Sequence, residues 1–156
     1  MSDLIAAPGR GVWKPTYTIE EVEAAILGAG GIERTNDPAT HIFPEKHTFT
    51  PGLYIRELFM PAGAFLTSKT HLTTHPYVVS QGVASVYSDE DGPTLILAPY
   101  TGITRAGTKR MLYIHEDTIW TTFHVTDLTD VKEIEKVIYA PWTNRFVRAL
   151  SAGDEK

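Results

Sequence analysis

Histidines are the residues of this chain whose spacing most directly suggests chemistry. The chain has six, and only three residues separate His71 from His75. Imidazole titrates near neutral pH, so two histidines can supply the general base and the general acid of one reaction. We therefore predict catalytic roles for His71, His75 and the more distant His124. The alternative for His71 and His75 is a pair of exposed loop histidines.

Basic side chains in the same region have no acidic neighbours in the sequence. Residues 58–88 and 92–115 contain no Asp or Glu, although the chain as a whole has a net charge of −5. This distribution concentrates positive potential on one part of the chain. Arginine can bind a phosphate or carboxylate through two parallel hydrogen bonds, and lysine acts as a point charge. We expect Lys69, Arg105 and Arg110 to bind a small anion.

Composition restricts the classes of function. The chain of 156 residues has the length of one domain, and its 42% apolar content is typical of a globular protein. It has no cysteine, which excludes disulfides, thiolate catalysis and cysteine zinc sites. An acidic chain is a poor partner for a nucleic-acid polymer. Short apolar runs and the lack of a signal-peptide pattern predict a cytoplasmic protein that does not contact a membrane.

Two helices are predicted at opposite ends of the chain. Thr18 and Glu21 fit a capping box, and apolar residues at helical spacing predict a helix over 19–27 that ends at a glycine-rich stretch. Asp130 can cap a second helix over 130–138. These elements divide the chain into an irregular arm at 1–17, a helix and loop at 18–50, a β core at 51–128, and a C-terminal helix and tail at 129–156.

The middle of the chain is predicted to be a series of short strands. Alternation of side chains begins in "GLYIRELFM" at 52–60. Regularly spaced short strands favour a sandwich or barrel over βαβ units. Turns are predicted at Asp89–Asp91, in "APYTGIT", and at Glu116–Asp117, next to His115. The further strands are predicted at 64–70, 77–81, 83–88, 94–98, 109–114 and 119–126.

Alternation also predicts which side chains face the interior. Trp120, Thr122 and His124 share one face of their strand, which we assign to the inside of the barrel and to ligand contact. His124 could equally be a hydrogen-bonded histidine of a half-polar core. Lys109 is expected to face solvent. Tyr100 is the aromatic residue predicted to stack on a ring of the ligand.

The stretch "PAGAFLTSKTHLTTHPYVVSQGVASV" resembles the first conserved motif of the cupins, and "ITRAGTKRMLYIHEDT" resembles the second. Aligned on Gly82, His75 stands at the motif's glutamate, His71 at its second histidine and Lys69 at its first. In the second motif Gly107 matches the turn glycine, while Arg105 and Arg110 stand at the proline and histidine positions. The resemblance implies an all-β jelly roll (double-stranded β-helix) with an N-terminal and a C-terminal helix packed outside.

The departures from the cupin motifs concern the metal ligands. A metal-binding cupin offers three histidines and a carboxylate, whereas this chain has Lys69 and Arg110 at two of those positions. Permanent cations repel a metal ion, so we expect no metal and no other cofactor. The metal-binding alternative would use His71, His75 and His124.

Two further stretches, "HEDTIWTTFH" and "APYTGIT", resemble uncharacterised cupin-like proteins of tailed bacteriophages. This resemblance implies a phage protein that inactivates a nucleotide immune signal in the host cytoplasm. The predicted function is binding of a nucleotide-type phosphate ligand and its cleavage by metal-independent histidine chemistry, as in a phosphodiesterase or other hydrolase. The alternatives are a non-catalytic sponge for such a signal and a cupin sugar-nucleotide epimerase or isomerase.

We also expect a homodimer or larger homo-oligomer, as is common among cupin-like proteins. The N-terminal arm, Trp142 and Phe146 are candidate subunit contacts. His41 and His47 receive no role, because they could reach the pocket only through a returning loop or from a neighbouring subunit.

Overall fold

The computed structural model describes residues 3–10, 13, 15–35 and 43–148. His41 and the end of the predicted helical tail lie outside these residues. Within them, no helix is long and apolar enough to cross a membrane. A short 3₁₀ helix (Asp3–Ile5) precedes the two α-helices, α1 (Ile19–Gly28) and α2 (Val131–Ile138). The strands are β1 (Ile32–Glu33), β2 (Glu45–Thr50), β3 (Leu53–Met60), β4 (Phe65–Thr67), β5 (His75–Ser88), β6 (Gly92–Leu97), β7 (Tyr100–Thr104), β8 (Arg110–Val125) and β9 (Phe146–Val147).

The strands of the described chain form one curled antiparallel sheet. Along one path the strand order is β1-β9-β4-β8-β3-β2, and β5 pairs with β6, β7 and β8. Strand β8 is central, because it pairs with β3, β4 and β5. This arrangement confirms the predicted all-β jelly roll with two helices outside the sheet.

The predicted turn at Glu116–Asp117 is wrong. Strand β8 runs without interruption through both residues, and two predicted strands are therefore one. The pairing of β5 with β8 is irregular near these residues, because the register of β5 shifts between Val79 and Ala84. Asp117 has a structural role there: its Oδ1 accepts a hydrogen bond from the Ala62 amide at 2.9 Å. The "APYTGIT" turn is likewise mostly strand β7, whereas the turn at Asp89–Asp91 is confirmed.

Gly82 makes the irregular part of β5 possible. Its φ is +108°, in the region that favours glycine, and a Cβ there would lie 2.6 Å from the carbonyl oxygen of Asp117. Gly82 is the residue on which the motif resemblance was aligned. Its backbone conformation and its close packing against β8 explain why that position requires a glycine.

The predicted N-terminal helix is confirmed together with its capping box. The Glu21 amide donates to Thr18 Oγ1 at 3.1 Å, and the Thr18 amide donates to Glu21 Oε1 at 3.0 Å. Helix α1 packs Val22 and Ile26 into an outer core, and Phe146 is buried in the same core. Phe146 therefore does not form the subunit contact that we expected, whereas the Trp142 side chain is 76% exposed.

Helix α2 covers the other end of the sheet. The Asp130 side chain accepts hydrogen bonds from the amides of Lys132 and Glu133, as expected of a helix cap. Ile134 and Ile138 of α2 pack with Tyr54 and Tyr139. The main core lies inside the curled sheet, and its buried side chains include Met60, Leu66, Val79, Ile96, Leu112, Ile114 and Trp120.

Candidate functional site

A cavity inside the sheet, which we call the cationic cavity, brings together residues from both ends of the chain. It contains about 640 Å³ of empty space, including its open mouth. Five of its lining side chains are cations, and no carboxylate among the described residues lines it. The lining residues are Arg34, Arg56, Leu58, Met60, Leu66, Ser68, Lys69, His71, Thr104, Arg110, Leu112, Trp120, Thr122, Tyr139 and Arg145.

Arg110 is the buried cation on which the cavity centres. Its side chain is held by one hydrogen bond, from Nη1 to Thr104 Oγ1 at 2.9 Å. Its Cζ lies 5.2 Å from the centre of the Tyr77 ring and 5.8 Å from that of Trp120, at cation–π distance. Arg110 is only 6% exposed, and burial lowers the pKa of its guanidinium. Among the described residues, no carboxylate lies within ion-pair distance of it.

Arg56 lines the same cavity but, unlike Arg110, has carboxylate partners. Its Nε donates to Glu45 Oε2 at 2.7 Å, its Nη1 lies 3.8 Å from Glu135 Oε2, and it also bonds the Tyr139 hydroxyl. Arg145 shares the second carboxylate, with Nη2 at 3.7 Å from Glu135 Oε2. These arginines are therefore partly neutralised from behind the cavity wall.

Arg34 adds a further charge next to this network. Burial, together with the charges of Arg145 and Arg56, lowers the pKa of Arg34 to about 9. Its Cζ stacks 4.9 Å from the centre of the Phe43 ring. The backbone joins Arg34 to Arg145, because the Arg34 amide donates to the Arg145 carbonyl at 2.7 Å. Five cations thus line the cavity, and two buried carboxylates, Glu45 and Glu135, offset part of their charge.

Three histidines form a compact group beside the cavity. The His75 ring centre lies 5.1 Å from that of His71 and 4.3 Å from that of His124. His75 Nδ1 donates to the Thr73 carbonyl at 3.0 Å, which leaves its Nε2 as an acceptor. His124 Nε2 lies 2.9 Å from Thr122 Oγ1. His71 Nδ1, His75 Nε2 and His124 Nδ1 are buried without a hydrogen-bond partner.

All three histidines are held in the neutral form. Burial is the largest cause for each, and it lowers the pKa of His71 well below its usual range and that of His75 below it. Burial and the neighbouring His75 lower the pKa of His124 to about 3. At neutral pH each of these imidazoles therefore has one N–H and one unprotonated nitrogen, and none is an imidazolium that could serve as a general acid.

The predicted site residues divide into three groups. Lys69, His71, Arg110, Trp120 and Thr122 line the cationic cavity. The catalytic candidates His75 and His124 are each 3% exposed and lie behind His71, outside the lining. Arg105 and Tyr100 line a different cavity.

That second cavity, which we call the aromatic cavity, lies between β5, β6 and β7. It contains about 910 Å³ of empty space, including open solvent, and it shares Arg110 with the cationic cavity. Its lining residues are Tyr77, Val86, Ser88, Asp91, Gly92, Thr94, Ile96, Tyr100, Ile103, Arg105 and Arg110.

Three arginines of the site escaped sequence reasoning. Arg56 could have been found, since it alternates with apolar residues on one face of β3. Arg34 and Arg145 carry no such signal, because each lies beside a two-residue strand, β1 or β9. Lys109 was predicted wrongly as solvent-facing: its Nζ is 3.0 Å from Glu23 Oε2 and its side chain is 12% exposed.

Two further histidines of the described chain, His47 and His115, do not line either cavity. His115 lies within β8 instead of beside a turn, and its Nε2 is 2.7 Å from Ser85 Oγ. His47 is linked to the histidine group of the same chain through Tyr54. Its Nδ1 is 2.6 Å from the Tyr54 hydroxyl, and the Tyr54 ring stacks 5.6 Å from that of His124.

The donor set does not fit a divalent metal ion, the group that metal-binding cupins hold. No cluster of three or more histidines or carboxylates in the described part of the chain has the arrangement of a metal site. The charge of Arg110 also acts on His71 and His75, where it would oppose a second cation. We therefore derive no chemical step through a metal.

Comparison with known proteins identifies the fold class. No protein-family model and no curated protein matches the chain. Among solved structures, ectoine synthase from P. lautus superposes with a TM-score of 0.53 at 10% identity, covering 73% of this chain and 81% of that one. An RmlC-like cupin with a double-stranded β-helix from Methanocaldococcus jannaschii gives a TM-score of 0.46 at 8% identity, with coverage of 67% and 94%.

A cupin-2 domain protein from Shewanella frigidimarina gives a TM-score of 0.44 at 10% identity, covering 53% of this chain and 80% of that one. The curled antiparallel sheet with its two outer helices, together with the superposition on ectoine synthase, shows a cupin-type jelly roll. Identities of 7–15% show the fold alone, so the chemistry must be argued from the cavity itself.

Proposed function

We propose that this protein binds a small phosphate-bearing molecule of the nucleotide type in the cationic cavity and cleaves it without a metal. The observation that carries the proposal is Arg110, a buried guanidinium with no carboxylate partner among the described residues. A buried charge without a counterion costs several kcal/mol. A bound anion would remove that cost.

The charge of the cavity favours a ligand with more than one negative charge. Five cations line the cavity, and the two carboxylates behind it contact Arg56 and Arg145. Arg110 and Lys69 have no carboxylate within ion-pair distance among the described residues. Phosphate oxygens suit both side chains, because arginine offers a fork and lysine a point charge.

The cleavage step follows from the position of the histidines. His71 faces the cavity as a neutral imidazole, so it can take the proton of a water molecule whose oxygen attacks phosphorus. The bond from phosphorus to the leaving oxygen then breaks, and Arg110 and Lys69 neutralise charge on the phosphoryl oxygens. The protonated His71 then returns that proton to the leaving oxygen, because His75 does not line the cavity.

Sequestration without cleavage is the second candidate function. It is favoured by the lowered pKa values of His71, His75 and His124, which leave no protonated imidazole at neutral pH in the free protein. Either activity would remove a nucleotide signal from a host cell. That biological role rests on the phage resemblance alone.

The two candidates are separated by incubating the purified protein with linear and cyclic nucleotides, with and without a chelator. Products are identified by mass spectrometry before and after the protein is denatured. Products that persist with chelator and disappear in His71→Gln support cleavage. Intact nucleotide released only by denaturation supports sequestration. Failure of every nucleotide to bind or react would refute the proposed function, and Arg110→Gln serves as the binding-deficient control.

A further inference from the structure

The two cavities meet at Arg110 but differ in polarity. The cationic cavity is lined by five cations and, among the described residues, by no carboxylate. The aromatic cavity is lined by Asp91 and two tyrosines as well as by Arg105 and Arg110. An anionic group is therefore favoured on one side of Arg110, and an uncharged group with hydrogen-bond donors on the other.

A stack of flat side chains lies where the two cavities adjoin. The rings of Tyr77 and Trp120 lie parallel within 15°, with centres 4.6 Å apart, and the Arg110 guanidinium lies against both. Gly102 of β7 fixes the Tyr77 ring closely, since a Cβ at Gly102 would lie 2.5 Å from Tyr77 Cζ. Arg110 lines both cavities, so the two cavities adjoin at its side chain.

Tyr100 is the more exposed of the two tyrosines that line the aromatic cavity. It is 36% exposed, whereas Tyr77 is 5% exposed and already stacked on Trp120. The Tyr100 and Tyr77 ring centres are 6.1 Å apart with planes at 31°, so the two rings are not stacked on each other. An exposed ring at the edge of a cavity can stack on any base.

We propose that the ligand spans both cavities, with its phosphates in the cationic cavity against Arg110 and its base in the aromatic cavity against Tyr100. The ligand class is then a nucleoside phosphate whose base presents N–H donors to Asp91. This inference rests on the proposed function and adds the position and the chemistry of the base.

The test is calorimetric titration of the full chain with pyrophosphate and with ADP, GDP, CDP and UDP. Pyrophosphate carries the charge without the base, so at least one nucleotide should bind more tightly than it does. Tyr100→Ala should weaken that nucleotide by about 10-fold, as expected for loss of one stacked base, and leave pyrophosphate within about 2-fold. Phe49→Ala is the matched control, because Phe49 is 37% exposed and lines neither cavity.

The outcomes separate this inference from the proposed function. If pyrophosphate binds but no nucleotide binds more tightly, or if Tyr100→Ala weakens both equally, the base site is refuted and the anion site stands. If neither pyrophosphate nor any nucleotide binds, the proposed function itself fails. Asp91→Asn gives a second readout, since it should change the preference among the four bases and not the affinity for pyrophosphate.

Discussion

At the scale of single residues, Arg110 and Arg56 show how differently two buried arginines of one cavity can contribute to stability. Arg56 is paired with Glu45 and Glu135, whereas Arg110 has a hydroxyl and two aromatic rings as its neighbours. Removing one member of a buried ion pair leaves the other charge uncompensated. Removing a buried charge that has no partner leaves no such uncompensated charge behind.

We therefore expect opposite results from the same substitution at the two positions. Arg56→Met should lower the free energy of unfolding by about 3–5 kcal/mol. Arg110→Met should change it by less than about 1 kcal/mol, or raise it, while abolishing pyrophosphate binding. Urea unfolding of both variants and the wild type measures the difference. Equal destabilisation by the two substitutions would mean that Arg110 has a structural partner and is not held for a ligand.

The histidine group should make the protein less stable as the pH falls. Each histidine has a folded-state pKa below its ordinary value of 6.5, so below pH 6.5 the unfolded chain binds protons that the folded chain does not. The contribution of these histidines to the free energy of unfolding is complete above about pH 6.5. It decreases as the pH falls from there toward the folded-state pKa. For His124, with a pKa of about 3, the decline is up to about 1.4 kcal/mol per pH unit.

Urea unfolding at pH 7, 6 and 5 tests this expectation. His124→Asn should make the dependence on pH shallower by about that amount per unit, whatever its effect on stability at pH 7. Comparing slopes removes the contribution of the lost hydrogen bond to Thr122. Identical slopes for variant and wild type would contradict a lowered pKa for His124.

Some lining residues of the cationic cavity are predicted by strand alternation or motif position. Trp120 and Thr122 line the cavity because strand alternation places them inside. Lys109 was assigned to solvent wrongly, because its partner Glu23 belongs to α1, a helix whose packing against the sheet no local pattern reveals. The roles of Arg34 and Arg145 depend on pairing between distant segments, which a single sequence does not specify.

At the scale of secondary structure, the irregular part of β5 determines how the sheet curls around the cavity. The register shifts opposite β8 occur on both sides of Gly82. An extra residue in one strand of a pair bends that strand and increases its local twist. Gly82 and Gly92 both have positive φ, of +108° and +71°, but only Gly82 is in close contact with β8.

Alanine substitution at these two glycines should separate strain from steric overlap. Gly92→Ala has open space for its Cβ and should cost about 1–2 kcal/mol from backbone strain alone. Gly82→Ala adds overlap with Asp117 and Thr118, which in a packed core costs a further ~1–3 kcal/mol. Thermal unfolding measures both. A smaller effect at Gly82 than at Gly92 would mean that the β5–β8 contact adapts easily.

Helices were easier to predict than strand boundaries. The start of α1 was found within one residue because its capping box is a local signal. The two long strands were each divided in two, because charged residues inside β8 and a glycine inside β5 look like turns when only neighbours in sequence are considered. Backbone pairing with β3 and β5 keeps β8 extended through those residues.

At the scale of the whole molecule, Trp142 remains the residue most expected at a subunit contact. Its side chain is 76% exposed, just beyond α2, whose Val137 is 54% exposed. Large exposed apolar side chains are candidates for protein interfaces. Oligomerisation itself is still a prediction from the sequence.

Light scattering coupled to size-exclusion chromatography tests the prediction. We expect the wild type to elute as a dimer or larger oligomer and Trp142→Ser to shift toward the monomer. Leu27→Ser is the matched control, because Leu27 is 50% exposed but lies on α1. A monomeric wild type would refute the prediction, and a shift in both variants would indicate general instability instead of a specific contact.

The link between Arg34 and Arg145 has a consequence for kinetics. Arg145 Nε donates to the Arg34 carbonyl at 3.3 Å across 111 positions of sequence, and both side chains line the cationic cavity. Contacts between such distant residues require a large loop to close, and they slow folding. A ligand held there would join segments that are neighbours only once folding is complete. The bound ligand should therefore slow unfolding and leave the folding rate almost unchanged. The ligand-bound protein would then stay folded for longer, although it would not fold faster.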